Sequence, residues 1–261
     1  MLLAIDIGNS NIVCGVYNED KLLGTFRLET DLTRTEDEFS TLIISCLDNF
    51  GINYKRITGI IVASVILTIN PIFEKLANKY FNTNIIFVGP NLKSGVAIKI
   101  EQPKSLAPDV LVGIVGAKQK YGTGCLVIDL GTATTMTIIN DKNEYIGGVF
   151  FPGLKLSADA LSRSTALLPF IDLEVPDHVI CKETIQAMQA GLMYGHASML
   201  DGMIERLEKE YGGQLKIVIT GGLSSNVAGL LKREVILDED LVLDGLNYLY
   251  HKNKSSLDIQ W

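Results

Sequence analysis

The segment "VIDLGTATT", residues 127–135, ends an apolar run with Asp129, then places Leu130, Gly131 and a series of hydroxyl residues. The chain opens the same way, with "LLAIDIGNSN" at residues 2–11. Moved along itself by 123 positions, the sequence lays Asp6 on Asp129, Gly8 on Gly131 and Gly24 on Gly147 without a gap. "IDIGNSNIVCGVYNEDKLLGTFRL" then lies over "IDLGTATTMTIINDKNEYIGGVFF". Each copy reads as an apolar strand, an Asp-and-Gly turn, a second strand, a polar hairpin ("NEDK", "DKNE") and a third strand. Two chance D-x-G strings would not also share the hairpin and the later glycine, so the pattern is a duplication. It divides the chain into an N-terminal half, 1–117, and a C-terminal half, 118–261.

Helices and strands are expected after each triplet. Thr35 and Glu38 have the spacing of a capping box, and Phe39, Leu42, Ile43, Cys46, Leu47 and Phe50 follow at helical intervals. "ITGIIVASV" (57–65) and "NIIFVG" (84–89) read as strands. Asn70 and Pro71 read as cap and first turn of a helix, and 109–121 and 183–210 carry helical patterns. "KIVITGG" (216–222) reads as a strand closed by two glycines before a helix, and the tail "HKNKSSLDIQW" reads as polar and frayed. The fold class is α/β, two duplicated halves with mixed sheets flanked by helices.

Composition narrows the function. The 261 residues are 47% hydrophobic and 20% charged, an ordinary globular balance. A net charge of −7 disfavours nucleic-acid binding, which rests on neutralising phosphates. No apolar run approaches the ~20 residues that span a bilayer, and the first residues lack a basic leader. Cys14, Cys46, Cys125 and Cys181 are scattered without a C-x-x-C pair, which suits a reducing cytoplasm.

A D-x-G turn at a strand end has a specific chemical use. Glycine allows the backbone to approach a ligand, the turn's N–H groups and hydroxyls face phosphate oxygens, and Asp supplies a carboxylate to hydrated magnesium. Two such turns on duplicated halves would clamp a triphosphate between them. Gly221 and Gly222 would let a base or ribose lie against bare backbone. Both turns serving structure alone is the competing reading.

These residues resemble the sugar kinase/actin superfamily of two-domain ATPases, whose halves are ribonuclease H-like. More narrowly, "DIGNSNIVCGVY", "RLETDLTRTEDE" (27–38), "GPNLKSG" (89–95), "IDLGTATT", "GGVFFPGLKLSADALSRSTALLP" (147–169) and "TIQAMQAGLMYG" (184–195) are similar to type III pantothenate kinase. The resemblance implies ATP-dependent phosphorylation of pantothenate, a cytoplasmic homodimer, magnesium, and potassium or ammonium. By position it implies that Asp6, Ile7, Gly8, Asn9, Ser10, Asn11, Ile12 and Val13 hold ATP, with Asp6 near magnesium and Thr132 joining from the second turn. It implies Asp129 as monovalent-cation ligand, Thr184 as a pantothenate contact, and Asp109 as the catalytic base.

The acceptor motif departs from the family. Where type III pantothenate kinases read Tyr and then N-P-x-x-x-G-A-D-R, this chain reads "KIEQPKSLAPDVLVG" (99–113). Asp109 remains, but Ile100 stands for Tyr, Gln102 for Asn, Ala107 for Gly, Pro108 for Ala and Val110 for Arg. By the resemblance, Ile100, Ala107, Pro108 and Val110 would line an altered acceptor pocket. Three readings follow: a pantothenate kinase with Lys99, Lys104 or a partner's cation in place of the Arg; a kinase for another small hydroxyl compound; or a catalytically weak nucleotide-binding regulator.

Other features have bland alternatives. Ala187, Gly191, Gly195 and Gly202 form a small-residue stripe that suits either a dimer seam or a buried intramolecular contact. His196 reads as packing or a surface hydrogen bond. "GGVFFPGLKLSADAL" reads as a loop entering a helix near Ser157, with Gly153 a candidate for the site's lining.

Overall fold

The computed structural model describes residues 1–257, with side chains described as far as Lys254. Two compact units are present. The first comprises residues 1–96, 101–119 and those from Leu241 on; the second comprises 97–100 and 120–240. The C-terminal segment thus counts with the first unit.

In the first unit, β1 (Leu2–Ile7), β2 (Asn11–Asn18) and β3 (Lys21–Glu29) form an antiparallel meander. β4 (Gly59–Ser64) and β5 (Ile85–Phe87) extend it in parallel, giving the order β3-β2-β1-β4-β5. α1 (Glu36–Asn49) starts at the expected capping box of Thr35 and Glu38. Its Phe39, Ile43 and Leu47 are buried with Leu3, Ile5 and Ile7 of β1 and with Phe73 and Leu76 of α2 (Asn70–Leu76). Asn70 is not the cap of α2: a 3₁₀ turn at Leu67–Ile69 leads directly into it, so Asn70 is already helical.

α3 (Pro108–Tyr121) packs on the last helix of the chain. In the second unit, β6 (Ala97–Ile98) lies at one edge beside β9 (Glu144–Pro152). β7 (Cys125–Leu130), β8 (Ala133–Ile139) and β9 repeat the meander; β10 (Lys216–Thr220) and β11 (Ile236–Leu237) add in parallel. The order β11-β10-β7-β8-β9 is the first sheet's order again, with β6 appended. α4 (Leu154–Arg163) and α5 (Thr184–Tyr211) cover one face, where Leu154, Met193, Ala197 and Leu200 meet Leu126, Ile128 and Leu130. α4 begins at Leu154, earlier than the expected Ser157. A short α6 (Ser224–Ala228) follows β10.

α7 (Leu241–Leu257) closes the first unit. It crosses α3 through paired glycines: a Cβ on Gly116 would stand 2.4 Å from Leu241 O, and one on Gly245 2.3 Å from Val112 O. Tyr17 donates to Asp244 at 2.8 Å, and the buried Asn253 exchanges hydrogen bonds with the backbone of Lys93 at 3.0 and 3.3 Å. His251–Leu257, expected to fray, are therefore helical, and the last four residues of that tail lie outside the described residues.

The duplication holds strand for strand, but not without a gap. Asp6 pairs with Val13, whereas Asp129 pairs with Thr135 rather than Met136. The first Asp-and-Gly turn spans Gly8–Asn11 between Ile7 and Ile12; the second spans only Gly131–Ala133 between Leu130 and Thr134. The polar hairpin compensates. Asn18 pairs with Lys21 around Glu19 and Asp20, while its counterpart runs through 141–143 before Glu144. Glu19 and Asn143 take the left-handed backbone there, at φ 55 and 62. The irregularity at Val16/Tyr17 recurs at Ile138/Ile139, so β2 and β8 slid by one residue while their neighbours kept register.

Candidate active site

Asp6 and Asp129 occupy equivalent places, the penultimate residues of β1 and β7. Strand alternation turns both away from the face that carries Ile5 and Ile7, or Ile128 and Leu130, and each is half-buried beside an exposed turn.

The first turn holds the residues singled out at 6–13. Gly8 N–H donates to Asn11 O at 3.0 Å, and Asn9, Ser10 and Asn11 are exposed at its tip. Thr30, just past β3, reaches it twice: its hydroxyl donates to Gly8 O at 2.8 Å and its N–H to Ser10 O at 3.2 Å. Ile12, by contrast, is wholly buried in the core, so of the stretch 6–13 it has only its backbone to offer a ligand.

In the second unit, the turn, β9 and β10 converge. Gly131 N–H donates to Ala133 O at 3.2 Å, and Gly153 N–H to Thr132 O at 3.0 Å. Thr220 pairs with Asp129, and Gly221 follows at φ +97. A Cβ on Gly221 would lie 2.5 Å from Asp129 Oδ1 and 2.6 Å from Leu130 N, so the bare glycine makes room for the carboxylate. Ser224 caps the turn after it, donating to Gly221 O through both N–H (3.1 Å) and hydroxyl (2.7 Å). Asp129, Thr132, Gly221 and Gly222 thus belong to one neighbourhood, with Gly222 exposed.

Behind this turn Thr134 is fully buried, and its Oγ1 lies 3.0 Å from Nε2 of the buried His196 on α5. Burial lowers the imidazole's pKa, which favours the neutral ring.

Asp109 sits in the first turn of α3, half-buried. It is not the helix cap: Pro108 is already helical and Leu111 N–H bonds back to Ala107 O at 3.1 Å. The carboxylate instead accepts from the next N–H, that of Val110, at 2.8 Å. Burial raises its pKa above the ordinary carboxylate value, outweighing the backbone hydrogen bonds that oppose it. Ala107, Pro108 and Val110 flank it in the first unit, whereas Ile100 and Thr184 belong to the second. Thr184 is exposed at the start of α5, between Glu183 and Gln186, which help line a cavity of about 520 Å³ under the segment 174–183.

The family model for type III pantothenate kinase matches residues 2–206. A type III pantothenate kinase of Myxococcus xanthus (strain DK1622) is 40% identical over 256 residues, covering 98% of this chain and all of that protein. The chain belongs to the type III pantothenate kinase family. Among solved structures, a putative 2-dehydro-3-deoxygalactonokinase from Sinorhizobium meliloti aligns over 96% of both chains at TM-score 0.61 and 15% identity. MreB5 of Spiroplasma citri bound to ADP aligns over 99% of this chain and 98% of its own at 0.52 and 11%. At such identities these two speak for the fold, the sugar-kinase and actin type expected above. As a type III pantothenate kinase family member the chain is a phosphotransferase, and the family uses ATP with a divalent metal.

Two contacts of this kinase escaped the sequence reading. Thr30 carried no visible signal except that the 123-residue shift lays it on Gly153, the residue that meets the other turn. His196 looked like generic packing because nothing local links it to Thr134. The small-residue stripe was ambiguous, and the structure removes one alternative: a Cβ at Gly191, Gly195 or Gly202 would meet nothing within 4 Å.

Proposed function

We propose that this protein transfers the terminal phosphoryl group of ATP to the hydroxyl of pantothenate, giving 4′-phosphopantothenate at the first step of coenzyme A synthesis. The observation that carries the reading is Asp109: a half-buried carboxylate in the first turn of α3, with raised proton affinity. That is the property a base needs toward an alcohol. Asp109 accepts the hydroxyl proton as the hydroxyl oxygen bonds to the γ-phosphorus and the bond to the bridging oxygen breaks, leaving ADP.

The exposed backbone of Gly8–Asn11, with Thr132 on the second turn, is assigned to the phosphates. Gly221 and Gly222 are assigned to the nucleoside end. Asp6, a half-buried carboxylate beside the first turn, fits a magnesium ion, which takes one or two protein carboxylates and keeps waters. Magnesium, when bound, neutralises charge on the phosphates. Asp129, its carboxylate seated against Gly221 at the end of β7, is a hard oxygen donor assigned to potassium or ammonium. Thr184 is assigned to the acceptor.

The lost arginine bears on the acceptor. Val110 supplies neither charge nor donor, and charged hydrogen bonds of the kind it lacks are worth about 1.5–3 kcal/mol. Lys99, Lys104 or a cation from a second subunit replaces it in our reading. A homodimer is supported by the open strip at Gly191 and Gly195 and by the exposed Val179, Ile180 and Ile185 nearby. Light scattering tests it. A cytoplasmic location accords with free cysteines and with the absence, among the described residues, of a helix long and apolar enough to cross a membrane.

The test is incubation with Mg-ATP, potassium and pantothenate, read by mass spectrometry against Asp109→Asn. Product above that blank supports the assignment. ATP binding without product overturns pantothenate as acceptor, and the apolar Val110 then favours alcohols that carry no carboxylate.

A further inference from the structure

We infer that Thr30 is a positioning residue that aims the amides of the first turn at the phosphates of ATP. The inference rests on the reading of that turn as the phosphate site.

Thr30 pins two carbonyls of the turn, those of Gly8 (through its hydroxyl, 2.8 Å) and Ser10 (through its N–H, 3.2 Å). In a trans peptide the C=O and the following N–H point in opposite directions. Holding Gly8 O toward Thr30 therefore turns Asn9 N–H away from it. Holding Ser10 O turns Asn11 N–H away in the same sense. Alternate peptides of one short turn thus present their donors, Asn9 N–H and Asn11 N–H, on the side opposite Thr30, where both can face one anion.

The brace is needed because of Gly8. Without a Cβ, Gly8 leaves the Gly8–Asn9 peptide free to rotate, and the exposed tip supplies no packing to stop it. The second turn differs. It is one residue shorter, and Gly153, the counterpart of Thr30, bonds Thr132 O through its N–H alone. Gly153, having no side chain, cannot supply the hydroxyl brace that Thr30 gives the first turn, the longer of the two.

Thr30→Val keeps the side-chain shape and removes the donor; Thr30→Ser keeps the donor. Mg-ATP affinity by calorimetry and steady-state KM values for both substrates are the readouts. Thr30→Val is expected to raise the Kd and KM for ATP about fivefold or more, the worth of one hydrogen bond, with the acceptor KM unchanged. Thr30→Ser should stay within about twofold of wild type. ATP binding by Thr30→Val equal to wild type overturns the inference, as does equal damage in Thr30→Ser. Should Thr30→Val not fold, the amide resonances of Asn9 and Asn11 in wild type decide. Shifts on adding Mg-ADP support the role, and their constancy with nucleotide bound overturns it. Wild type that binds no Mg-ATP overturns the phosphate site and this inference together, whereas failure of the Thr30 variants alone leaves the site standing.

Discussion

A Cβ on Gly153 would stand 2.4 Å from the carbonyl oxygen of Thr132, and as close again to that of Gly131, so only glycine fits where β9 meets the second turn. The obstructing atoms are backbone and cannot swing aside. Gly153→Ala should therefore destabilise the protein by about 2 kcal/mol or more and weaken Mg-ATP binding as the turn is pushed outward. Urea denaturation and calorimetry read the two effects. Unchanged values would mean the turn yields freely.

Asp109→Asn separates catalysis from stability. Loss of a general base should lower kcat by about 10²-fold or more, measured as ADP release dependent on acceptor. Stability should move the other way. Because burial raises the folded-state pKa above 3.8, the folded protein resists ionising Asp109, and that penalty sets in as pH rises through the raised pKa. The Asn variant should melt higher than wild type at pH 7, with the advantage vanishing below 3.8. In wild type the acid limb of the rate profile should lie above that value.

Gly221→Ala tests the seat of Asp129. The new Cβ would meet Asp129 Oδ1 at 2.5 Å in a backbone at φ +97, which L side chains rarely adopt. Displacement of the carboxylate should raise the potassium concentration needed for half-maximal activity. Titration with KCl at constant ionic strength measures it, and a wild-type response would remove Asp129 as the cation ligand.

His196→Leu should cost about 1–3 kcal/mol by leaving the buried Thr134 hydroxyl without its imidazole partner, and His196→Gln less. The pH dependence follows from burial. The folded-state pKa is lowered from 6.5, so below that value the unfolded chain binds more protons, and stability is lost as pH falls toward the folded pKa. The difference in unfolding free energy between wild type and His196→Gln should narrow from pH 7.5 to 5.5.

Much of the fold was legible because local rules sufficed. Thr35 and Glu38 announce α1 by their own spacing, and the short continuous apolar runs before Asp6 and Asp129 announce β1 and β7. Misreadings arose where a neighbour decided. Asn70 looks like a cap until the preceding 3₁₀ turn makes it helical. The polar tail looks frayed until Asn253 finds Lys93, 160 residues away along the chain. The helical pattern read from Asp109 onward begins one residue earlier, at Pro108.

The amino-acid sequence by itself determined the duplication, the two Asp-and-Gly turns, the family and the altered acceptor motif, because each is written in residue type and spacing. Only the tertiary structure decided that the turns differ by one residue, since a residue lost from one turn and regained in the next leaves a sequence comparison without a gap. It alone placed Thr30 on Gly8, His196 on Thr134 and Gly221 on Asp129. These are contacts between segments far apart in the chain, made by strand pairing and helix packing, and no local pattern encodes them.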